Sequence, residues 1–203
     1  MFKLYKKLPR QLTVAVSGGV DSMAALHFLK SNHDVSAAFF HHNTDDSERA
    51  LRFLIKYLPS IGVHNLSIGY CTEEKPSMES KEEFWRNQRY AYLDTLPFPV
   101  VTAHHLDDCV ETWVWSSLHG TPKLIPYERN KVIRPFILTK KEQLKSWCAR
   151  KGVEWIEDNS NQDNSYTRNF IRNELLDKVR VVNPGIDTMV KNKLLRGRDE
   201  STT

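Results

Sequence analysis

Short apolar runs alternate with longer segments of helical periodicity through the first 120 residues. The apolar runs predict strands at residues 12–16, 35–41, 65–69 and 99–103. The periodic segments predict helices at residues 20–30, 47–61, 79–96 and 106–118. Because this alternation is typical of βαβ units, we expect an α/β fold with a parallel sheet that helices cover on both faces. Ligands in such sheets bind beyond the carboxyl ends of the strands.

The pattern changes after Gly120, where Pro122 and Pro126 interrupt regular structure. We therefore place a boundary region at about residues 119–130. The first part, residues 1–120, is the predicted α/β core. The second part, residues 121–203, is predicted to be a small, mainly helical extension.

Length and composition indicate a globular protein of one domain, or one domain with a small appendage, in 203 residues. No segment has the roughly 18 apolar residues of a membrane span, and the N-terminus lacks the long apolar stretch of a secretory signal. We therefore expect no membrane association and take the cytoplasm as the default location. Cys71, Cys109 and Cys148 are isolated, which argues against a disulfide framework or a cysteine metal site.

Charge is unevenly distributed along the chain. Residues 1–122 contain 12 Lys and Arg against 14 Asp and Glu, whereas residues 123–203 contain 17 against 11. A basic second part beside a near-neutral first part favours a polyanionic partner such as nucleic acid, although an ordinary basic surface gives the same count.

The segment between the first predicted strand and helix indicates a phosphate site. It consists of Ser17, Gly18, Gly19, Val20, Asp21 and Ser22. Glycines let backbone N–H groups turn inward, and a helix N-terminus adds partial positive charge. The loop has no lysine, unlike the common phosphate loop G-x-x-x-x-G-K-[ST]. Asp21 beside phosphates is expected to hold a bridging Mg²⁺.

A second polar segment follows the strand predicted at 99–103 and opens the next helix. It contains Asp107, Asp108 and Glu111 within about one helical turn. Carboxylates on one helix face repel each other, although the helix dipole favours acids at an N-terminus. Their concentration favours a bound cation, either Mg²⁺ or a substrate ammonium group, over a solvated helix start.

Arg86 and Arg89 are spaced to share one face of the helix predicted at 79–96. Two arginines on one face can bind a phosphate through paired hydrogen bonds. The spacing alone favours the alternative, a surface pair with Glu82 and Glu83.

Arg168 and Arg172 are also spaced on one helix face, and they follow a loop rich in Asn and Asp. This arrangement fits recognition of phosphate or nucleotide. A surface helix in which Glu174 and Asp177 are the local partners is an equally good interpretation.

The strand predicted at 35–41 ends in Phe40 and His41, which are followed by His42. Neighbouring strand residues point to opposite faces, so the two histidines are not expected to bind one metal. Phe39 or Phe40 either packs in the core or presents its ring, with nearby backbone groups, to an adenine.

The ordered set of motifs resembles the tRNA(Ile)-lysidine synthetases of the PP-loop ATP pyrophosphatase superfamily. S-G-G-x-D-S at 17–22 is similar to the superfamily's pyrophosphatase loop. The resemblance covers about residues 10–185 and includes R-x-x-R-Y at 86–90, H-H-L-D-D-x-x-E-T at 104–112, R-P at 134–135, and W-x-E-D-x-S-N with Y-x-R-N-x-x-R between 155 and 172. It implies a PP-loop, adenine nucleotide alpha hydrolase-like fold in which the extension completes the catalytic domain.

The resemblance implies a two-step modification of an isoleucine tRNA with a CAU anticodon. ATP adenylates O2 of the wobble cytidine and releases pyrophosphate. The amine of free lysine then displaces AMP at C2 and forms lysidine. ATP and Mg²⁺ are the implied cofactors, and the tRNA and free lysine are the implied partners.

The resemblance also implies roles for individual residues. ATP binding is implied for Ser17, Gly18, Gly19, Val20, Asp21, Ser22, Phe40 and His41. Catalytic roles are implied for Asp21, Asp107, Asp108, Arg86 and Glu111. In that set, Asp21 with Asp107 or Asp108 holds Mg²⁺, and Glu111 binds the lysine ammonium group. Contacts to phosphates of ATP or tRNA are implied for Arg86, Arg89, Arg168, Asn169 and Arg172.

The chain departs from the family pattern in three places. Cys109 stands where glutamine is usual, and H-G-T-P at 119–122 stands where a glycine-rich turn is usual. We also expect a short version of the family, without the C-terminal domains that bind the rest of the tRNA. This bears on tRNA affinity and on substrate choice.

Two other classes of function compete with this interpretation. The first is another PP-loop adenylating enzyme, either a tRNA thiolase or a small-molecule amidotransferase. Isolated cysteines disfavour the thiolase, and the basic second part disfavours the amidotransferase. The second is a catalytically inactive module that binds tRNA or ATP, which the intact Asp21, Asp107 and Asp108 disfavour.

Overall fold

A computed structural model of the chain describes residues 2, 4–71, 80–157 and 167–200. The strands in these residues are β1 Gln11–Ala15, β2 Asp34–His41, β3 Leu66–Tyr70, β4 Val100–Val101, β5 Glu128–Arg129 and β6 Val132–Ile133. They form one sheet in the order β3-β2-β1-β4-β6-β5. Neighbouring strands are parallel except β5 and β6, which are antiparallel. This mostly parallel sheet confirms the predicted fold class.

Helices occupy the predicted positions, and further helices follow in the extension. They are α1 Val20–Leu29, α2 Asp45–Ser60, α3 Lys81–Thr95, α4 Leu106–Leu118, α5 Lys141–Lys151, α6 Thr167–Phe170, α7 Leu176–Val182 and α8 Ile186–Glu200. A π-helical segment, Ile171–Leu175, joins α6 to α7, and its wider turn is closed by the Leu176 N–H donating to the Ile171 carbonyl. In the described residues, none of the helices is both long and apolar enough to cross a membrane.

Helices cover the sheet on both faces. Alternate residues of a strand point to opposite faces, so neighbours in one strand pack against different helices. Ala37 and Phe39 of β2 belong to a core cluster that includes residues of α1, α2 and α5. Their neighbour Ala38 packs with Tyr90 and Leu93 of α3. Both faces of β2 are therefore buried, which explains its nearly continuous apolar sequence.

The second part of the chain contributes to the same sheet and core. Strand β6 pairs with β4, so the sheet continues past residue 120. Leu144 and Cys148 of α5 are buried in the cluster that contains α1. Val190 of α8 packs in the cluster that contains Val110 of α4. The division at residue 120 stays a prediction, and the two predicted parts share the sheet and its largest core cluster.

Candidate functional site

The loop of residues 17–22 connects the carboxyl end of β1 to α1. Its two serines form hydrogen bonds to backbone groups of the same loop. Ser22 Oγ accepts a hydrogen bond from the Ser17 N–H at 3.1 Å and donates to the Gly19 carbonyl at 2.9 Å. Ser17 Oγ accepts from the Gly19 N–H at 3.3 Å. Val20 then begins α1, and the first turn of a helix presents backbone N–H groups that lack intrahelical partners. The turn is therefore held in a shape suited to an anion.

Gly18 is required by its backbone conformation and by its neighbour. Its φ is +82°, in the left-handed region that favours glycine. The Gly18 carbonyl accepts a hydrogen bond from the Ile156 N–H at 2.9 Å. A Cβ added to Gly18 would lie 3.0 Å from Ile156 Cγ1. The segment after α5 thus packs against the loop at Gly18 and holds it through this hydrogen bond.

Asp21 connects the loop to two other elements. Its Oδ2 lies 3.5 Å from His105 Nε2 and 3.9 Å from Lys141 Nζ. Its Oδ1 is buried and has no hydrogen-bond partner in the described part of the chain. A buried carboxylate oxygen without a partner is costly, so this oxygen is suited to bind a cation.

His105 is the N-cap of α4 and is almost fully buried. Its Nδ1 accepts from the Asp108 backbone N–H at 3.3 Å, and the His105 backbone N–H donates to Asp108 Oδ2 at 3.0 Å. Burial lowers the pKa of His105, but the carboxylates of Asp108, Asp21 and Asp107 outweigh that effect and raise it. Burial raises the pKa of Asp108, but nearby His105, His104 and Arg172 outweigh it and hold that pKa below its usual range.

Glu111 is buried in the interior and pairs with an arginine from the π-helical segment. Its Oε2 accepts from Arg172 Nη2 at 2.7 Å and from Arg172 Nε at 2.9 Å. Arg172 Nη2 also donates to Asp108 Oδ1 at 3.3 Å. Burial raises the pKa of Glu111, yet a guanidinium is protonated at any ordinary pH, so we take the ion pair as the dominant form.

Asp107 is held by two donors from the extension. Arg180 Nη2 donates to its Oδ1 at 2.8 Å, and the backbone N–H of Lys141 donates to its Oδ2 at 2.8 Å. Arg180 also contacts Asp187 at 3.3 Å. We refer to Asp21, Asp107, Asp108 and Glu111 together as the acidic site.

The acidic site fits a metal ion only in part. Among the described residues, no group of three or more His, Cys, Asp and Glu is arranged to hold a metal. The free Oδ1 of Asp21 suits Mg²⁺, which prefers oxygen ligands. Asp107 and Asp108 would have to share oxygens that already accept hydrogen bonds from Arg180, Lys141, His105 and Arg172. The Mg²⁺ site therefore stays a prediction, with Asp21 its best-placed ligand.

Four arginines surround Tyr90, and we call them the arginine cluster. The distances from each Cζ to the ring centroid are 5.1 Å for Arg86, 5.7 Å for Arg89, 5.4 Å for Arg129 and 6.0 Å for Arg134. Arg134 is only 1% exposed and donates to the Tyr90 hydroxyl at 2.9 Å and to the Pro126 carbonyl at 2.8 Å. Its Nε is buried without a partner in the described residues.

The arginine cluster has no balancing acid in the part of the chain that the structure describes. Burial, followed by repulsion from neighbouring guanidinium groups, lowers the pKa of Arg86 and Arg89. The alternative of a surface pair with Glu83 is not observed, and the side chain of Glu82 lies outside the described residues. Uncompensated guanidinium groups at this density are suited to bind phosphate.

Phe40 and His41 are both buried at the end of β2. Phe40 packs with Cys71 and Phe84. His41 Nδ1 contacts the Asn43 side chain at 3.2 Å, and its Nε2 lies 3.5 Å from Glu48. Core packing accounts for Phe40 as it stands, and contact with an adenine stays a prediction for both residues.

The predicted phosphate-binding residues of the extension differ in how far their side chains are already paired within the chain. Arg168 is 42% exposed and lies 4.0 Å from Glu111, whereas Arg172 is fully engaged with the acidic site. Asn169 lies within α6, and its predicted role is not tested. Asp158, Ser160, Asn161 and Tyr166 of the predicted motif lie outside the described residues.

The sequence interpretation included His105 and Tyr90 in its motifs without giving either a role, and it missed Arg180 and Lys141 as site residues. The long-range pairs of Arg172 with Glu111 and of Arg180 with Asp107 leave no local signal. A polar residue just before a predicted helix could have identified His105 as an N-cap, since such residues are favoured there.

Comparison with known proteins agrees with the motifs. A model of the PP-loop domain family matches residues 2–179. The tRNA(Ile)-lysidine synthase of Thermotoga sp. (strain RQ2) is 31% identical over 194 residues, which is 87% of this chain and 47% of that protein. The tRNA(Ile)-lysidine synthase of Lactiplantibacillus plantarum is 30% identical over 195 residues, which is 87% of this chain and 44% of that protein.

The chain thus spans about half the length of the curated relatives it matches. Among solved structures, the NH3-dependent NAD synthetase from Campylobacter jejuni is 16% identical with a TM-score of 0.49, covering 92% of this chain and 84% of that chain. The family match covers the phosphate loop, both acidic elements and the arginine cluster. From that match, the chain belongs to the PP-loop domain family.

Proposed function

We propose that the chain uses ATP to attach free lysine to C2 of the wobble cytidine in an isoleucine tRNA with a CAU anticodon. The observation that carries the proposal is the position of Asp21. Its Oδ1 is buried at the start of α1 without a hydrogen-bond partner among the described residues, and its Oδ2 lies 3.5 Å from His105, the N-cap of α4. This arrangement joins the phosphate loop to the acidic site.

In the first step, the cytosine O2 attacks the α-phosphorus of ATP. The bond from that phosphorus to the bridging oxygen breaks, and the electron pair leaves with pyrophosphate. The amides at the start of α1 and the arginine cluster are the groups suited to stabilise this charge. Mg²⁺ bound at Asp21 would add further neutralisation of the phosphates.

In the second step, the lysine amine attacks C2, loses a proton, and displaces AMP. The contact of Arg172 with Glu111 and Asp108 supports a role for these carboxylates in binding a cationic nitrogen. A substrate ammonium group would compete with Arg172 for the same oxygens. Catalysis through Glu111 therefore requires Arg172 to move away or to share the carboxylate oxygens with the substrate ammonium group.

The cysteines favour this reaction over sulfur transfer. Cys71, Cys109 and Cys148 are all buried and unpaired. Burial raises the pKa of Cys148 to about 11 and raises that of Cys109 further. A thiol with a raised pKa is a poor nucleophile, because the thiolate is the reactive form.

The test incubates the protein with ATP, labelled lysine and two transcripts of the tRNA. One transcript carries the CAU anticodon, and its matched control carries uridine in place of the wobble cytidine. We expect label only in the first transcript, with one AMP and one pyrophosphate released per lysine attached. ATP cleavage that depends on another amine or on a sulfur donor, with no label in tRNA, would contradict the proposal.

A further inference from the structure

The phosphate loop has no lysine or arginine of its own, since none lies between Arg10 and Lys30. Lys30 is used elsewhere, because its Nζ donates to the Ile61 carbonyl at 2.9 Å. Lys141, the first residue of α5, comes close to the loop instead. Its Nζ lies 3.9 Å from Asp21 Oδ2.

Helix packing fixes the backbone of Lys141 beside the loop. Its N–H donates to Asp107 Oδ2 at 2.8 Å, which ties the start of α5 to the start of α4. Further along α5, Cys148 Sγ lies 3.7 Å from the Val20 carbonyl in the first turn of α1. The lysine is therefore held between both elements that form the site.

The ammonium group of Lys141 differs from the closely paired cations near the acidic site. Arg172 contacts two carboxylates and Arg180 contacts three, with shortest distances of 2.7 and 2.8 Å. The neighbouring Lys140 Nζ is paired with Asp187 at 2.8 Å. In the described residues, Lys141 Nζ has only its 3.9 Å contact, and its side chain is 44% exposed. It can turn toward an incoming anion without breaking a hydrogen bond.

We propose that Lys141 supplies the missing lysine of the phosphate loop and binds the phosphates of ATP that leave as pyrophosphate. This proposal rests on the proposed ATP chemistry and adds a residue to it. When the bond between the α-phosphorus and the bridging oxygen breaks, negative charge grows on the pyrophosphate. An ammonium group on that side stabilises the leaving group and takes no proton from it.

The test measures binding of ATP and of AMP by titration calorimetry for the wild type and for Lys141→Ala, Lys141→Arg and Lys145→Ala. Lys145 is the matched control, an exposed lysine one turn further along α5. We expect Lys141→Ala to weaken ATP binding by about 10-fold or more, because a charged hydrogen bond is lost. AMP binding and the melting temperature should stay unchanged. Lys141→Arg should restore most of the ATP affinity.

Asp21→Asn separates direct contact from simple neutralisation of Asp21. In EDTA, Lys141→Ala should weaken ATP binding by a similar factor in the Asp21→Asn background. Disappearance of the effect in that background overturns direct contact. Equal losses for ATP and AMP, or an unchanged ATP affinity, also overturn it. A wild type that binds no ATP would instead overturn the proposed function itself.

Discussion

The acidic site lies around the start of α4 and the arginine cluster lies around Tyr90 of α3, and their charges are balanced in opposite ways. Arg172 pairs with Glu111 and Asp108, and Arg180 pairs with Asp107, so three of the four carboxylates of the acidic site are paired with arginines of the chain. The arginine cluster has no carboxylate partner among the described residues. A cation that binds one of these three carboxylates has to compete with an arginine for its oxygens. An anion that binds the arginine cluster displaces no carboxylate of the described residues, so its binding stabilises the fold.

The largest effect is expected from Asp21→Ala, the acid with a free oxygen. Its contacts are 3.5 Å or longer, so the fold should be unaffected. Loss of metal binding should lower pyrophosphate release by about 1,000-fold or more. Release is measured with labelled ATP, and circular dichroism checks the fold. Asp45→Ala, an exposed acid in the first turn of α2, is the matched control. Unchanged release would remove Asp21 from the mechanism.

Breaking the pairing of the acidic site should destabilise the fold. Glu111→Ala leaves Arg172 beside the buried space without its main partner, and we expect a loss of about 2–4 kcal/mol in the free energy of unfolding. Urea denaturation measures this loss. Arg172→Met combined with Glu111→Ala should recover part of it, because no unpaired charge remains. If the two changes are simply additive, the pair does not stabilise the fold as inferred.

Filling the arginine cluster should have a smaller and opposite effect. Pyrophosphate at about 100 times its dissociation constant should stabilise the wild type by about 2.7 kcal/mol, which raises the melting temperature by several degrees. Arg86→Ala combined with Arg89→Ala should remove most of the rise. Arg10→Ala is the control, since Arg10 lies at the other end of β1 and pairs with Asp34. An undiminished rise in the double variant would place the anion elsewhere.

The smallest effect is expected at Arg168, which connects the two regions. It lies 4.0 Å from Glu111, and its charge also lowers the pKa of Arg86. Arg168→Ala should weaken tRNA binding and reduce the slope of log K against log salt by about 1. Filter binding over a range of salt concentrations measures the slope. An equal reduction for Arg172→Ala would show that pairing with Glu111 does not withhold Arg172 from tRNA.

The sequence predicts the long elements of the fold and omits the short ones. Helix α4 begins and ends as predicted, because apolar positions recur along its whole length. Strand β4 has two residues where five were predicted, and the β5–β6 hairpin was missed. Two-residue strands are too short to show a period, so tertiary pairing alone defines them.

The candidate site shows the same limit. The two strand ends selected by the rule that ligands bind at carboxyl ends do lie together, since Asp21 is 3.5 Å from His105, and ligand binding there stays a prediction. The partners of Arg172 could not be predicted, because Glu111 is far away along the chain. The sequence also offered Asp177 as a local partner for the arginines of this helix. Such a local contact is observed for Arg180, which lies 3.5 Å from Asp177.

The π-helical segment Ile171–Leu175 sets the direction in which the side chains after it point, relative to those before it. In a regular α-helix, Arg172 and Arg180 would point about 80° apart, because eight residues make more than two full turns. A wider turn rotates the chain less per residue and reduces this angle. Both guanidinium groups can then face the first turn of α4 at the same time. Replacing this wide turn with a regular α-helical turn, with the eight-residue spacing kept, would turn Arg180 away from Asp107, with every charged residue still present.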